Sequence, residues 1–243
     1  LLTSNSHKLS YLIKKSLSLL VFPILFLGLY LMQWKRNIFY VNKKEFNLRH
    51  ASYSKTLRHT LRDLMDFIFH IQPKTIIMEA DSKKNLRLLQ KGACVFTSAH
   101  YGNFESMCSF LRKNNVPLQG SYIPLKSNFW NNILLKLRQR SGYTPAIPQK
   151  FSAIRQSLKK GSVYGFMMDQ FTPKGAIYKI GNQSILANKI PLLLHQKKTP
   201  LFFGLWIPKN KVIEFKIIKC DQNPYEELFK LLWEQVQDNP NSW

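Results

Sequence analysis

The chain has 243 residues, 45% of them hydrophobic and 20% charged, a balance that excludes a disordered tail and favours one substantial globular core. Lysine and arginine number 36 against 13 aspartate and glutamate, which gives a formal net charge of +23. A charge of this size attracts polyanions, and composition leaves three classes open: nucleic acid, an anionic membrane with phosphorylated lipid, and an acidic protein such as an acyl carrier protein.

The first predicted element is a hydrophobic segment over residues 16–32, which contains no charged residue. Its length is at the lower limit for crossing a bilayer, and Lys15 before it and Trp34 after it are typical of anchorage at the interface. No small-residue cleavage site follows, which argues against a signal peptide. We predict a membrane-anchor helix within residues 1–36, spanning the bilayer or lying on it, followed by one α/β domain over residues 37–243.

Beyond the anchor, helical and strand periodicities alternate along the chain. The predicted helices cover residues 52–71, 82–89, 104–113, 128–140, 151–160, 184–197 and 224–237. The predicted strands cover residues 93–98, 117–123, 162–168, 201–207 and 212–218, the last two joined by a turn. This alternation predicts an α/β fold with a mostly parallel central sheet flanked by helices, and an antiparallel pair near the C-terminal end.

The motif HYGNFE at residues 100–105 lies between a predicted strand and a predicted helix. His100 is a candidate general base, and Glu105 is the carboxylate we expect to fix its tautomer and stabilise the imidazolium. Gly102 and Asn103 let the chain turn so that the two side chains face each other, and the first helical turn offers N–H groups to a developing oxyanion. A lone His at such a loop also has a purely structural interpretation, which the spacing alone leaves open.

Between Asp81 and Glu214 the sequence contains two carboxylates, Glu105 and Asp169. Asp169 follows a predicted buried strand, at the end where open α/β sheets place their ligands. We assign it a supporting role, either in organising the basic loop that contains Lys174 or in contacting substrate. Because nearby cations favour the charged form of a carboxylate, either acid could serve as an anionic partner to a histidine or as an anchor for a basic loop.

Residues 100–105 resemble the H-x-G-N-x-E form of the H-x-x-x-x-D/E block of the lipid A late acyltransferases, the lauroyl and myristoyl transferases of Gram-negative bacteria. Later blocks follow in the same order and carry the resemblance along nearly the whole chain. They are RQRSG at residues 138–142, Asp169-Gln170 with Lys174-Gly175 and Gly181 after it, and NPNSW at residues 239–243. Because that family continues past the last block, we expect the C-terminal end of the domain to be truncated.

The resemblance implies transfer of a fatty acyl group from an acyl carrier protein thioester to a hydroxyl of a phosphorylated lipid A precursor, at the cytoplasmic face of the inner membrane. Arg138 and Arg140 would recognise the acceptor phosphates, because guanidinium groups bind phosphate in a bidentate manner. Asp169 and Gln170 are assigned to the substrate site with them. No metal-ligand cluster and no nucleotide-binding motif is present in the sequence, so we expect neither a metal nor a cofactor.

Two other functions remain open at this point. An acyltransferase acting on a lysophospholipid or another glycolipid would share the chemistry of His100 and differ only in its acceptor. A membrane-tethered, basic nucleic-acid-binding protein would explain the net charge, although the sequence contains no RNA-recognition motif, zinc finger or helix-turn-helix signature. We therefore predict no nucleic-acid partner.

Overall fold

The computed structural model describes residues 52–69, 73, 75–121, 128–140, 142, 144–146, 151–169, 175–180, 183–209, 212–221 and 224–242. The predicted anchor over residues 1–36 lies outside these ranges, as do Gln170 and Lys174. Among the helices within them, none combines the length and apolar character that crossing a bilayer requires.

The described residues contain a central sheet, a separate hairpin and seven α-helices. The strands are β1 Ile76–Ile77, β2 Cys94–Ser98, β3 Leu118–Ser121, β4 Thr144–Ala146, β5 Val163–Met167, β6 Ala176–Ile180, β7 Gln183–Ala187, β8 Leu201–Lys209 and β9 Val212–Cys220. The helices are α1 Tyr53–Ile68, α2 Ala80–Gln90, α3 Phe104–Lys113, α4 Asn128–Arg140, α5 Phe151–Lys159, α6 Ile190–Gln196 and α7 Pro224–Asp238, followed by a 3-10 turn Pro240–Ser242.

The central sheet has the strand order β1-β9-β8-β2-β5-β3-β4. Five of these strands run parallel to one another: β8, β2, β5, β3 and β4. β9 is antiparallel to β8, and the short β1 pairs in parallel with β9. β6 and β7 form a separate antiparallel hairpin. The prediction of an α/β fold with a mostly parallel sheet and an antiparallel pair near the C-terminal end is confirmed.

Successive side chains of β2 face opposite sides of the sheet, and both sides are buried. Val95 packs into one hydrophobic cluster, whose helical members come from α5, α6 and α7. Cys94 and Phe96 pack into a second cluster together with residues of α2 and α3. Helices therefore cover both faces of the sheet, which explains why the central strands read as nearly continuous apolar runs.

The helix predicted over residues 184–197 is wrong in its first half. Gln183–Ala187 pairs with β6 as a strand, and the helix begins only at Ile190, whose N–H donates to the side-chain oxygen of Asn188 at 3.0 Å. The physical reason is Pro191, which fits the first turn of a helix but would break one that started at residue 184. The strands β1, β4, β6 and β7 were not predicted from the sequence.

Candidate functional site

The candidate site lies where two neighbouring parallel strands end. β2 and β5 are hydrogen-bonded to each other with Ser98 opposite Met167, the last residue of each strand. Two residues further along, the first chain reaches His100 and the second reaches Asp169. Because parallel strands in register end at the same edge of a sheet, equal extensions bring these two residues together.

Asp169 holds His100 through both of its carboxylate oxygens. Oδ2 accepts the backbone N–H of His100 at 2.8 Å, and Oδ1 lies 2.9 Å from the ring atom Nδ1. A carboxylate can only accept, so Nδ1 carries the proton in this bond and the other ring nitrogen, Nε2, keeps a free lone pair. The two bonds fix both the position of the backbone and the tautomer of the ring.

The imidazole is accessible, whereas its partner is not. The His100 side chain is 44% exposed and that of Asp169 is 6% exposed. The ring packs edge-to-face on Phe104, with centroids 4.9 Å apart. The ring is therefore held by Asp169 and Phe104 while part of its surface remains accessible to solvent.

Opposing effects act on the basicity of His100, and their net result raises its pKa above the ordinary value. Burial lowers the pKa, but the hydrogen bond and charge of Asp169 raise it, with a further contribution from the charge of Glu105, while Arg138 opposes them. The raised pKa strengthens the imidazole as a proton acceptor.

Glu105 does not have the partner predicted for it. Its Oε1 accepts Nη2 of Arg138 at 2.6 Å, and Nε of Arg138 lies 3.2 Å from Oε1 and 3.4 Å from Oε2. The hydrogen-bonded carboxylate on His100 is Asp169, so the prediction that Glu105 fixes the histidine tautomer is corrected. The reason is that α3 starts at Phe104, and its first turn directs Glu105 towards α4 while His100 stays in the loop at the end of β2.

The turn between His100 and α3 depends on the two residues predicted to form it. Gly102 has a φ of +60°, and a Cβ at this position would lie 2.3 Å from the carbonyl oxygen of Trp206. Asn103 caps α3, because its side-chain oxygen accepts the N–H of Ser106 at 3.0 Å. These contacts give both residues a structural role, and the predicted contribution of this turn to an oxyanion site stays a prediction.

Arg138 and Arg140 occupy the last turn of α4 in different environments. The Arg138 side chain is 20% exposed and bound to Glu105, whereas Arg140 is exposed. The backbone carbonyl of Arg140 accepts Nη1 of Arg112 at 2.8 Å, which ties the end of α4 to α3. The structure therefore places Arg138 beside the candidate site and leaves the guanidinium of Arg140 on the surface.

Sequence reasoning placed Asp169 at the carboxyl edge but missed its bond to His100. The predicted strands did not give this bond, because they place His100 two residues beyond one strand and Asp169 one residue beyond the other; the equal extensions follow from the observed strand ends and register. The Glu105–Arg138 pair joins two helices far apart in sequence and carried no sequence signal. Within the described ranges, no group of three or more His, Cys, Asp or Glu side chains could hold a metal ion.

No protein-family model matches the chain, and no match is found among curated proteins.

Proposed function

We propose that this chain is an O-acyltransferase in which His100 is the general base and Asp169 orients it. The observation that carries the proposal is the two-point contact between Asp169 and His100 at the carboxyl edge of the sheet, with the ring open to solvent. A positioned imidazole of raised pKa is the group that hydroxyl activation needs. Asp169 takes the orienting role that the sequence assigned to Glu105.

The chemistry requires one proton acceptor that later becomes a proton donor. Nε2 of His100 removes the proton from an acceptor hydroxyl as its oxygen attacks the carbonyl carbon of a thioester. The resulting imidazolium is stabilised by the Asp169 carboxylate and the nearby charge of Glu105. Collapse of the tetrahedral adduct breaks the carbon–sulfur bond, and the imidazolium returns its proton to the departing thiolate. An ester and a free thiol are the products.

The Glu105–Arg138 pair gives the site a fixed cation near the base. A guanidinium held by Glu105 at Nε and Nη2 has a defined plane. Because the carboxylate occupies that bidentate edge, Arg138 would act on an anionic acceptor through its charge rather than through those two N–H groups. Arg140, on the same helical turn, is exposed and adds a second cation at the surface. Charge on Arg138 also opposes protonation of His100, which keeps a larger fraction of the base neutral.

For the substrates, we propose an acyl carrier protein thioester as donor and a phosphorylated lipid A precursor as acceptor, at the cytoplasmic face of the inner membrane. The resemblance of four ordered sequence blocks to the lipid A late acyltransferases supports this choice. The net charge of +23 supports it as well, because both the carrier protein and the acceptor are anionic. A lysophospholipid or another glycolipid acceptor is the alternative that leaves the chemistry of His100 unchanged.

The direct test is acyl transfer by the purified full-length protein from acyl carrier protein thioesters to a panel containing a lipid A precursor and lysophospholipids. We expect ester formation on the lipid A precursor, lost in His100→Ala. Asp169→Asn should also reduce ester formation. Its matched control is Asp81→Asn, which makes the same substitution at an exposed carboxylate on α2 and should leave ester formation unchanged. Transfer only to lysophospholipid would overturn the acceptor, and no transfer to any acceptor would overturn the proposed function.

A further inference from the structure

The segment after Asp169 leaves the catalytic edge of the sheet and returns to it. It forms the β6–β7 hairpin and comes back at Asn188, whose backbone N–H donates to the carbonyl of Met168 at 3.4 Å. Tyr225 of α7 donates its hydroxyl to the carbonyl of Asn188 at 2.8 Å, and this contact is buried. The base of the hairpin is therefore fixed one residue away from Asp169.

The two faces of the hairpin have opposite surroundings. Tyr178 packs on Tyr225 and Phe229 of α7, with ring centroids 5.1 Å and 5.5 Å apart. Its neighbours along β6, Ile177 and Lys179, point to the other face and are exposed, Ile177 to 71%. One side of the hairpin is thus bound to the protein core, and the other presents an isoleucine to solvent.

Three large hydrophobic side chains are exposed in the part of the chain that the structure describes. Among the described residues they are Ile177, Leu193 on α6, which directly follows the hairpin, and Ile77. Ile77 lies on β1, at the opposite edge of the sheet from β4 and four strands away from β5. Ile177 is the most exposed of the three, and it is the one whose hairpin is tied to the catalytic edge.

The charged side chains that the described part of the hairpin and the loop after it carry, up to residue 189, are lysines. Lys179 lies on the same face of β6, and Lys189 follows β7, whose last residue Ala187 pairs with the residue preceding Ile177. Both lysines are exposed. The sequence has no acidic residue from 170 to 213, so no carboxylate within this stretch offsets their charge.

We propose that Ile177, Lys179 and Lys189, which we call the hairpin surface, contact an anionic lipid bilayer. Lysines beside a projecting aliphatic side chain suit a headgroup layer, because the aliphatic group enters the acyl boundary while the ammonium groups contact lipid phosphates. The inference deepens the proposed function and rests on it for its purpose: contact through this hairpin sets the His100–Asp169 edge at the surface from which a lipid acceptor arrives.

The test places an environment-sensitive fluorophore at residue 177 of the full-length chain through Ile177→Cys. Cys94 and Cys220 are buried, and burial raises the pKa of both thiols to about 12, which disfavours the reactive thiolate. Cys108 is only half-buried, so the labelled variants carry Cys108→Ser. The vesicles are phosphatidylcholine alone and phosphatidylcholine with phosphatidylglycerol, with and without a nitroxide-bearing lipid. The matched control is Ile77→Cys with the same label.

We expect the label at residue 177 to shift to the blue on phosphatidylglycerol vesicles and to be quenched by the nitroxide lipid, while the label at residue 77 does neither. Lys179→Glu should raise the lipid concentration needed for the half-maximal fluorescence shift by about fivefold or more, because each lysine near an anionic surface contributes about 1 kcal/mol to binding. A label that ignores the vesicles, responds equally at both positions, or is already blue-shifted without them because another part of the protein covers it, would overturn the proposal.

The same samples separate this inference from the proposed function. Adding His100→Ala should abolish acyl transfer and leave the fluorescence response at residue 177 unchanged. Acyl transfer without any fluorescence response at residue 177 would overturn the proposed lipid contact of the hairpin surface and leave the proposed acyltransferase function standing. A fluorescence response at residue 177 in a protein that transfers no acyl group would support the lipid contact and overturn the proposed acyltransferase function.

Discussion

The two carboxylates isolated in the basic part of the chain, Asp169 and Glu105, end up with different partners. Glu105 is five residues from His100 in sequence yet bonds Arg138, whereas Asp169 is 69 residues away and holds both the ring and the backbone of that histidine. The difference teaches that the register of parallel strands, rather than closeness along the chain, decided which acid orients the base. The two pairs should accordingly respond differently to substitution.

The largest effect on activity is expected from substitution of His100. His100→Ala removes the proton acceptor, and we expect kcat to fall by about 10² to 10⁴-fold. The side chain is 44% exposed, so the free energy of unfolding should change little. Steady-state kinetics and urea denaturation of the same preparation check the two parts, and a large loss of stability would assign His100 a structural role.

Asp169→Asn keeps the shape of the side chain and removes its charge. We expect kcat to fall by about 10²-fold, because an amide no longer selects the tautomer with a free Nε2. Since the Asp169 hydrogen bond and charge raise the pKa of His100, their loss lowers that pKa, and the acidic limb of the pH–rate profile should move to lower pH. An acidic limb that stays in place would separate Asp169 from the base.

The sequence predicts the helices and strands around the site better than it predicts the partners of the two carboxylates. The predicted segments around β2, α3, β5 and α7 agree with the structure to within two residues, because strong apolar periodicity and short loops define them. Pro191 was the one local signal that should have shortened the helix predicted from residue 184. The partner of Glu105 depends on how α4 packs against α3, and no local pattern encodes that contact.

The Glu105–Arg138 pair should contribute modestly to the free energy of unfolding, and Glu105 should raise the pKa of His100 by less than Asp169 does. Both side chains are about four-fifths buried, and a double-mutant cycle of Glu105→Gln with Arg138→Gln should give a coupling free energy of about 1 kcal/mol in urea denaturation. Glu105→Gln should also move the acidic limb to lower pH, by less than Asp169→Asn does. A larger movement for Glu105→Gln would restore it as the direct partner of the base.

The smallest effect is expected at Arg140. Its guanidinium is exposed and its contact with Arg112 uses the backbone carbonyl, so Arg140→Ala should change the free energy of unfolding by no more than about 0.5 kcal/mol. If Arg140 binds acceptor phosphate, KM for the acceptor should rise by about threefold to tenfold with kcat unchanged. Arg87→Ala, at an exposed arginine of α2, is the matched control. Equal KM values for the two variants would exclude Arg140 from the site.

The central claim, that Asp169 fixes His100 with Nδ1 protonated and Nε2 free, can be tested without any substrate. Nitrogen-15 NMR of histidine-labelled protein, with the His100 signals assigned by their loss in His100→Ala, reports the tautomer and the titration midpoint of that ring. We predict the Nδ1–H tautomer and a midpoint above the ordinary histidine value, lowered most by Asp169→Asn and less by Glu105→Gln. An Nε2–H tautomer, or a midpoint that Asp169→Asn leaves unchanged, would contradict the account.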